Sequence, residues 1–411
     1  MPAIVGGGVG DIEEVLCAGR TLARAGFRST LYRRAGVPLP PGVDGPWAWP
    51  PLRRASAVRP RAPRALTIAP AWGVTCAPER EGPLGRPGPW AGETADIEDA
   101  YGAAATAHVS LEEFGRTLTP LEESAERFRE GGVRSRELRT RVDQAGAAGE
   151  VATYRRAYRT FRAFDRPNVL HLYATFRYDR RFAAEFPEAV QTGPLWPGRR
   201  PRAPPRAERR GDWVWYASPA SAEAIAPEIV RGLRHASPPP RLVVRTPRAW
   251  GGRGPLVSVR TAPVPADRWW RQFGSAAVRV VTGSRSLLEA LEVGGPFLYF
   301  NGTLGTGGER RRHRPEKILG FLELARSARW PADLVRDLAD FSRGRRVAAV
   351  VARAARHEGG WARFPPPPPP QGFAPGSRDA GTVLVRFARA LATDPGSSSD
   401  LVATARRRSQ T

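Results

Sequence analysis

The chain has 411 residues, 64 Lys+Arg against 40 Asp+Glu, and a formal net charge of +24. Its 41% hydrophobic and 25% charged fractions exclude wholesale disorder, and its length suits two domains or three. No stretch approaches the ~18 uninterrupted apolar residues of a membrane-spanning helix, and the two cysteines, Cys17 and Cys76, exclude a disulfide framework or a four-thiolate zinc site.

Met1 runs within a few residues into a glycine-rich turn, without the basic and apolar regions of a secretory leader, so a cytoplasmic location is expected. Nearly all the positive charge is arginine, Lys317 being the lone lysine, beside 43 Gly and 42 Pro. A GC-rich coding sequence would give that balance. An anionic substrate, an anionic membrane surface or nucleic acid would use it, and both readings stand.

In chain order, Ala3-Ile4-Val5 reads as a strand, Gly6 to Gly10 as a turn, and Ile12 to Ala23 as a helix ended by Gly26. Arg28 to Arg33 reads as a second strand. That βαβ opening predicts a parallel sheet. Pro38 to Trp90 is rich in Pro, Arg and Trp, with Leu66 to Ala69 a strand inside it. Helical spacing returns from Asp96 to Arg141, through Leu111, Phe114, Leu118 and Leu121, and again from Tyr154 to Phe164. Val169 to Tyr173 reads as a buried strand.

Between Pro197 and Asp212 the chain loses apolar periodicity and reads as a linker. Strands are then expected at Trp213–Tyr216, Leu242–Val244, Leu256–Val259, Val278–Val281 and Phe297–Phe300. Helices are expected at Ala222–Leu233, Ser286–Leu291 and Ile318–Ala325. The run Pro365 to Pro370 reads as a polyproline II spacer, or as a ligand for an SH3-type module. A last helix, Thr382 to Ala392, precedes a basic tail expected to be disordered.

Two stretches carry chemistry. Gly6-Gly7-Gly8-Val9-Gly10-Asp11 lies between a strand and a helix, where backbone amides favour an anion. The dinucleotide fingerprint is broken by Asp11 or Glu13 at its last position, and no Gly-Lys-Ser/Thr follows, so a nicotinamide, flavin or Walker site is not expected. Asp11-Ile12-Glu13-Glu14 has capping-box spacing, and a carboxylate there can also accept a proton.

The second stretch runs from Val280 to Phe300. A strand ends in Thr282-Gly283-Ser284-Arg285-Ser286 and a helix follows, which aims amides, hydroxyls and Arg285 at an anion. Glu289, about one turn on, is placed for a ribose diol. Ser286 and Glu289 also have the spacing of a second capping box.

This stretch resembles the donor-nucleotide motif of GT-B fold glycosyltransferases (UDP/TDP-sugar glycosyltransferase-like), through Gly283, Ser286, Glu289, Ala290, Gly294 and Pro296. Three further landmarks resemble the family in the right order: Gly7 to Asp11 with Leu22 to Phe27, Gln191 to Leu195, and Val214 to Ala220. Together they frame residues 1 to about 330.

The resemblance implies an α/β protein of GT-B architecture, two Rossmann-like domains facing a cleft, with a Pro-rich spacer and a C-terminal helix. The implied division is 1–196 for an acceptor-binding domain, 197–211 for the linker, 212–363 for a donor-nucleotide domain and 364–411 for the spacer, helix and tail. The implied activity is transfer of a sugar from a nucleoside-diphosphate sugar to an acceptor hydroxyl, inverting and without a metal or other cofactor. Asp11 would be the base. Ser218, Thr282, Gly283, Ser284, Arg285, Ser286 and Glu289 would hold the donor. UDP or TDP is expected ahead of GDP; the acceptor, lipid-linked or a small molecule, is left open.

Thr282 stands where the family commonly has His or Ser, and no Asp/Glu-Gln pair follows Phe300. Asn301, His313, Glu316 and Lys317 are the substitute candidates for the donor sugar; the same basic run reads equally as a solvated loop. Gly8, Gly10 and His108 are the acceptor-side candidates. His171, His235 and His357 lack metal-ligand spacing and read as structural or exposed. A sugar-nucleotide epimerase of the same fold is one alternative. The other is a non-catalytic GT-B-like protein whose arginines hold nucleic acid or the inner face of a membrane. Nucleic acid is disfavoured, because no module pattern interleaves aromatics with the arginines. Peripheral membrane contact remains compatible with transfer to a lipid.

Overall fold

The computed structural model describes residues 10–27, 33–34, 51–52, 66–70, 107–113, 167–178, 180–196, 210–217, 219–246, 254–261, 266–300, 302–303, 312–313, 316–370, 379–394 and 397–410. The expected strand at residues 3–5, the helix at 154–164 and most of the linker lie outside them.

Two parallel sheets organise these residues. The first holds β3 (Leu66–Pro70), β4 (Ala107–Glu113), β5 (Val169–Ala174) and β6 (Ala189–Thr192), hydrogen-bonded in that order. All six residues of β5 are buried, as expected of a parallel strand covered on both faces. A separate two-residue pair joins β1 (Arg33–Arg34) to β2 (Pro51–Leu52), also parallel.

The second sheet has the order β11-β10-β7-β8-β9. Its strands are β7 (Arg210–Tyr216), β8 (Leu242–Arg245), β9 (Val257–Arg260), β10 (Ala276–Val281) and β11 (Phe297–Tyr299). Chain order runs outward from β7 in one direction, then restarts beside it with β10. Such a sheet has its topological switch between β7 and β10, and ligands settle in the crevice beyond the carboxyl ends of those strands.

The helices are α1 (Gly10–Arg24), α2 (Arg180–Glu185), α3 (Pro219–Leu233), α4 (Ala266–Ser275) and α5 (Ser284–Val293). They continue with α6 (Glu316–Ser327), α7 (Ala332–Ser342), α8 (Val347–Arg356), α9 (Ala380–Thr393) and α10 (Ser398–Gln410). None of the described helices is long and apolar enough to cross a membrane.

The core around the second sheet is built from nearly continuous chain, with Trp213, Trp215, Phe273, Phe297, Phe321 and Phe341 among its members. The first core draws on distant segments instead. Cys17, Ala18 and Leu22 of α1 join strands β4 to β6 there, together with Leu384, Phe387 and Leu391 of α9 and Leu401 and Val402 of α10.

Several expectations are corrected. Residues 107–113 form a strand within the stretch read as helical. Ala107, Val109 and Leu111 are all buried and alternate at period two, and β4 pairs on both sides, with β3 and β5. The tail expected to lack order carries α10. Ser397 Oγ lies 2.6 Å from Asp400 Oδ2 and accepts the Asp400 N–H at 3.2 Å, which satisfies one of the orphan amides at its start. Leu401 and Val402 then bury against the first sheet, and Arg406 Nη2 donates to the Val169 carbonyl at 2.8 Å.

Elements α4, α7 and α8 and a 3₁₀ turn at Gly359–Arg363 are additions to the sequence reading. Asp337 joins α7 to α8 and the 3₁₀ turn: it accepts both guanidinium arms of Arg353 and, at 2.9 Å, the indole N–H of Trp361. Phe364, at the head of the proline run, stacks near Phe297, Trp330 and Trp361 at centroid distances of 5.5, 5.2 and 5.8 Å. The start of the proline run is thereby fixed to the second core.

Candidate functional site

The turn between β10 and α5 sits at the switch point. Thr282 Oγ1 donates to the Tyr216 carbonyl at 3.1 Å, which ties the end of β10 to the end of β7. Helix α5 starts at Ser284 with Gly283 as its cap residue. Ser286 is therefore the third helical residue rather than a cap, which corrects the second capping-box reading. Its hydroxyl accepts the N–H groups of Gly283 at 2.9 Å and Thr282 at 3.2 Å and donates to the Gly283 carbonyl at 3.0 Å. One donor and two acceptor positions are all a hydroxyl has. Ser286 thus shapes the turn through its side chain. The helix geometry leaves the amides of residues 284–286 without intrahelical carbonyls.

Gly283 has φ −116° and ψ 166°, an extended conformation open to any residue. Among the described residues, a Cβ built there would meet only Ser286 Oγ, at 3.8 Å. The backbone does not require glycine at this position. By contrast, Gly294 and Gly295 have φ of +77° and +82°, and glycine there makes the turn from α5 into β11.

Arg285 is 4% exposed. Its Nη1 donates to the Leu195 carbonyl at 3.2 Å, and its Nε lies 3.8 Å from Glu289 Oε1, one helical turn on. Glu289 is itself 7% exposed. The segment Gly193–Trp196, leaving β6, gathers bonds from three helices. The Ala380 N–H donates to Gly193 O at 3.0 Å, Arg285 takes Leu195 O, and the Cys17 thiol donates to Trp196 O at 2.6 Å. Helix α1 also packs against β3, α9 and α5. A second tie between the cores runs through Phe176, which follows β5 and stacks on Phe321 at 5.9 Å, and through Arg177 Nη1 to Glu323 Oε2 at 3.1 Å.

The remaining candidates fall as follows. Gly10 and Asp11 open α1, so Asp11 stands inside the first turn rather than at its cap. His108 is the second residue of β4, near the amino end of that strand and away from the carboxyl edge. His313 lies in β13 (Arg312–His313), antiparallel to β12 (Gly302–Thr303) with His313 opposite Gly302, which places this pair just after β11 in the chain. Glu316 and Lys317 begin α6. Ser284 is the first residue of α5. Gly8, Ser218 and Asn301 lie outside the described residues.

The sequence reading passed over two arginines. Arg279 of β10 is fully buried and donates to the carbonyls of Phe273, Gly274 and Gly294 at 2.7, 2.8 and 2.9 Å. It locks the end of α4 to the turn after α5. Its sequence signal was a charge inside the apolar run Val278 to Val281. Arg245, at the carboxyl end of β8, is 8% exposed. Its Nε and Nη2 donate to Gln272 Oε1 at 2.9 and 2.6 Å, and its guanidinium lies 5.9 Å from the Trp269 ring centre. Burial first, then the charges of Arg260 and Arg268, pull its pKa below the ordinary guanidinium value. Among the described residues, no three His, Cys, Asp or Glu side chains group closely enough to hold a metal ion.

No family model matches the chain, and no curated protein matches it. Among solved structures, the chain is similar to Arabidopsis thaliana UGT89C1 complexed with quercetin, at 12% identity. The match covers 77% of this chain and 69% of that one, with a TM-score of 0.32. A likeness that distant leaves the functional reading to this chain's own residues.

Proposed function

We propose that the protein is a glycosyltransferase of GT-B type that moves a sugar from a nucleoside-diphosphate sugar to an acceptor hydroxyl, with inversion and without a metal. The observation that carries the reading is Gly283. It stands at the switch point of the second sheet, in a conformation and a space that do not require glycine. A missing side chain at a strand-to-helix turn lets a phosphate approach the amides of the helix start. Four landmarks in family order supply the identity of that phosphate as part of a nucleotide sugar.

In this reading the α5 amides at Ser284, Arg285 and Ser286 receive the diphosphate and stabilise it as it leaves. Thr282 and Ser286 hold the turn, Ser218 adds a contact on the phosphate side, and Glu289 accepts from the ribose hydroxyls. Arg285, fixed by Leu195 O and Glu289, links the donor turn to the chain leaving β6. Asp11 takes the proton of the acceptor hydroxyl as that oxygen attacks the anomeric carbon. Asn301, His313, Glu316 and Lys317 face the donor sugar, and Gly8, Gly10 and His108 stand on the acceptor side. UDP or TDP is the nucleotide, and the acceptor is a small molecule or a lipid reached at a membrane surface.

The test is a transfer assay on the full chain with UDP- and TDP-sugars and a panel of small and lipid-linked acceptors. Asp11→Ala should abolish transfer and leave nucleotide affinity within a few-fold. Full transfer by that variant removes Asp11 as the base. Conversion of the donor without acceptor selects the epimerase instead.

A further inference from the structure

Beyond the donor turn, the carboxyl edge of the second sheet gathers three arginines. Arg245 and Arg260 are register partners on the adjacent strands β8 and β9, so their side chains leave the same face side by side. Like charges directly opposite one another destabilise a strand pair. Arg268, in the first turn of α4, adds a third positive charge within electrostatic reach of Arg245. A cation at that end of a helix is also opposed by the helix dipole.

Among the described residues, none of the three arginines makes an ion pair with a carboxylate. The partner that fixes Arg245 is Gln272, a neutral amide, which accepts from Nε and Nη2. Those two bonds leave N–H donors on the outer part of the guanidinium. Trp269 lies against it and is itself packed edge-on by Tyr216 at 6.1 Å. The guanidinium is therefore held in one orientation before any ligand arrives, while Arg260 and Arg268 are exposed beside it. A preorganised, desolvated guanidinium flanked by two exposed ones is what an oxyanion with several acceptor atoms requires.

We propose that Arg245, Arg260 and Arg268 form an oxyanion subsite at the carboxyl ends of β8 and β9 that takes a phosphate group. The subsite is distinct from the start of α5. Strand β7 lies between β10 and β8, so the two anion positions are separated by two strand spacings, about 10 Å. Adjoining phosphates of one diphosphate do not span that gap. The occupant is a free phosphate ion or a phosphate carried elsewhere on a nucleotide, and its binding relieves the repulsion among the three arginines.

Isothermal titration of the full chain at constant ionic strength tests this with inorganic phosphate, adenosine 3′,5′-bisphosphate and UDP. The exposed pair is removed as Arg260→Gln with Arg268→Gln. A second exposed pair on α9, Arg386→Gln with Arg389→Gln, controls for total charge. Phosphate affinity should fall about tenfold or more in the first double variant, the loss expected for removing charge-assisted hydrogen bonds. It should stay within about twofold in the control pair. Bisphosphate binding tighter than inorganic phosphate, with the same loss, supports a nucleotide-borne phosphate; equal binding supports a free ion. Absence of phosphate binding, or equal affinity in wild type and the Arg260/Arg268 variant, overturns the subsite. Phosphate binding without any UDP binding supports the subsite and counts against the glycosyltransferase reading alone.

Discussion

The two sheets are assembled from chain in opposite ways. Apart from Phe176, the core of the second comes from one nearly continuous run, from Trp213 to Trp361 with Phe364 packed beside it. The core of the first is closed by the two ends of the described chain, α1 from one side and α9 and α10 from the other. Local sequence can therefore specify most of the second sheet, whereas the first is completed only when residues hundreds of positions apart meet. The segment Gly193–Trp196 is one place where the two constructions touch, through Arg285 from α5 and Cys17 from α1; Phe176 and Arg177, against Phe321 and Glu323, are another.

Ending the chain before α9 should break that contrast most strongly. It strips Leu384, Phe387, Leu391, Leu401 and Val402 from the first core, which area bookkeeping values at roughly 10 kcal/mol as an upper figure. That is comparable with the whole stability of a typical domain. Amide hydrogen exchange should show β4 to β6 unprotected while β7, β8 and β10 keep protection. Equal loss in both sheets would mean that they fold as one unit.

Arg279→Ala should act on the second sheet in turn. It leaves three carbonyls without their donor and a cavity in the core, for a loss of about 3 kcal/mol or more, read as a lower denaturant midpoint. A smaller effect belongs to Asp333, whose carboxylate accepts the Gly360 N–H at 2.9 Å. That hydrogen bond, foremost, holds its pKa below the usual carboxylate value. A depressed folded pKa contributes stability that is complete above the ordinary value near 4 and is lost as pH falls through the folded one. Asp333→Asn should remove that acid-limb dependence and cost about 1 kcal/mol at neutral pH.

The legibility of the sequence follows the same divide. The strands of the second sheet are short apolar runs between turn residues, and those at Trp213, Leu242, Leu256, Val278 and Phe297 were read within a few residues of their observed bounds. In the first sheet, β4 was hidden because Leu111, Phe114, Leu118 and Leu121 offer helical spacing that competes with the period-two alternation of Ala107, Val109 and Leu111. Helix α4 was missed because Trp269, Trp270 and Phe273 lie just after a Pro-rich stretch. Helix α8 was missed because its buried face is mostly valine and alanine. The turn between β10 and α5 was legible from its glycines and serines. The arginine cluster was not, since only strand register brings Arg245 beside Arg260.

Gly283→Ala tests the central claim most directly, because the fold tolerates a methyl group there and a bound phosphate would not. Thermal unfolding of wild type and variant should be followed with UDP, TDP, GDP and ADP. The wild type should be stabilised by one of these, by about 2.7 kcal/mol at a hundredfold excess over Kd. The variant should unfold at nearly the same temperature without nucleotide and lose that stabilisation. Equal stabilisation of both proteins, or none of either, would contradict a nucleotide at the start of α5.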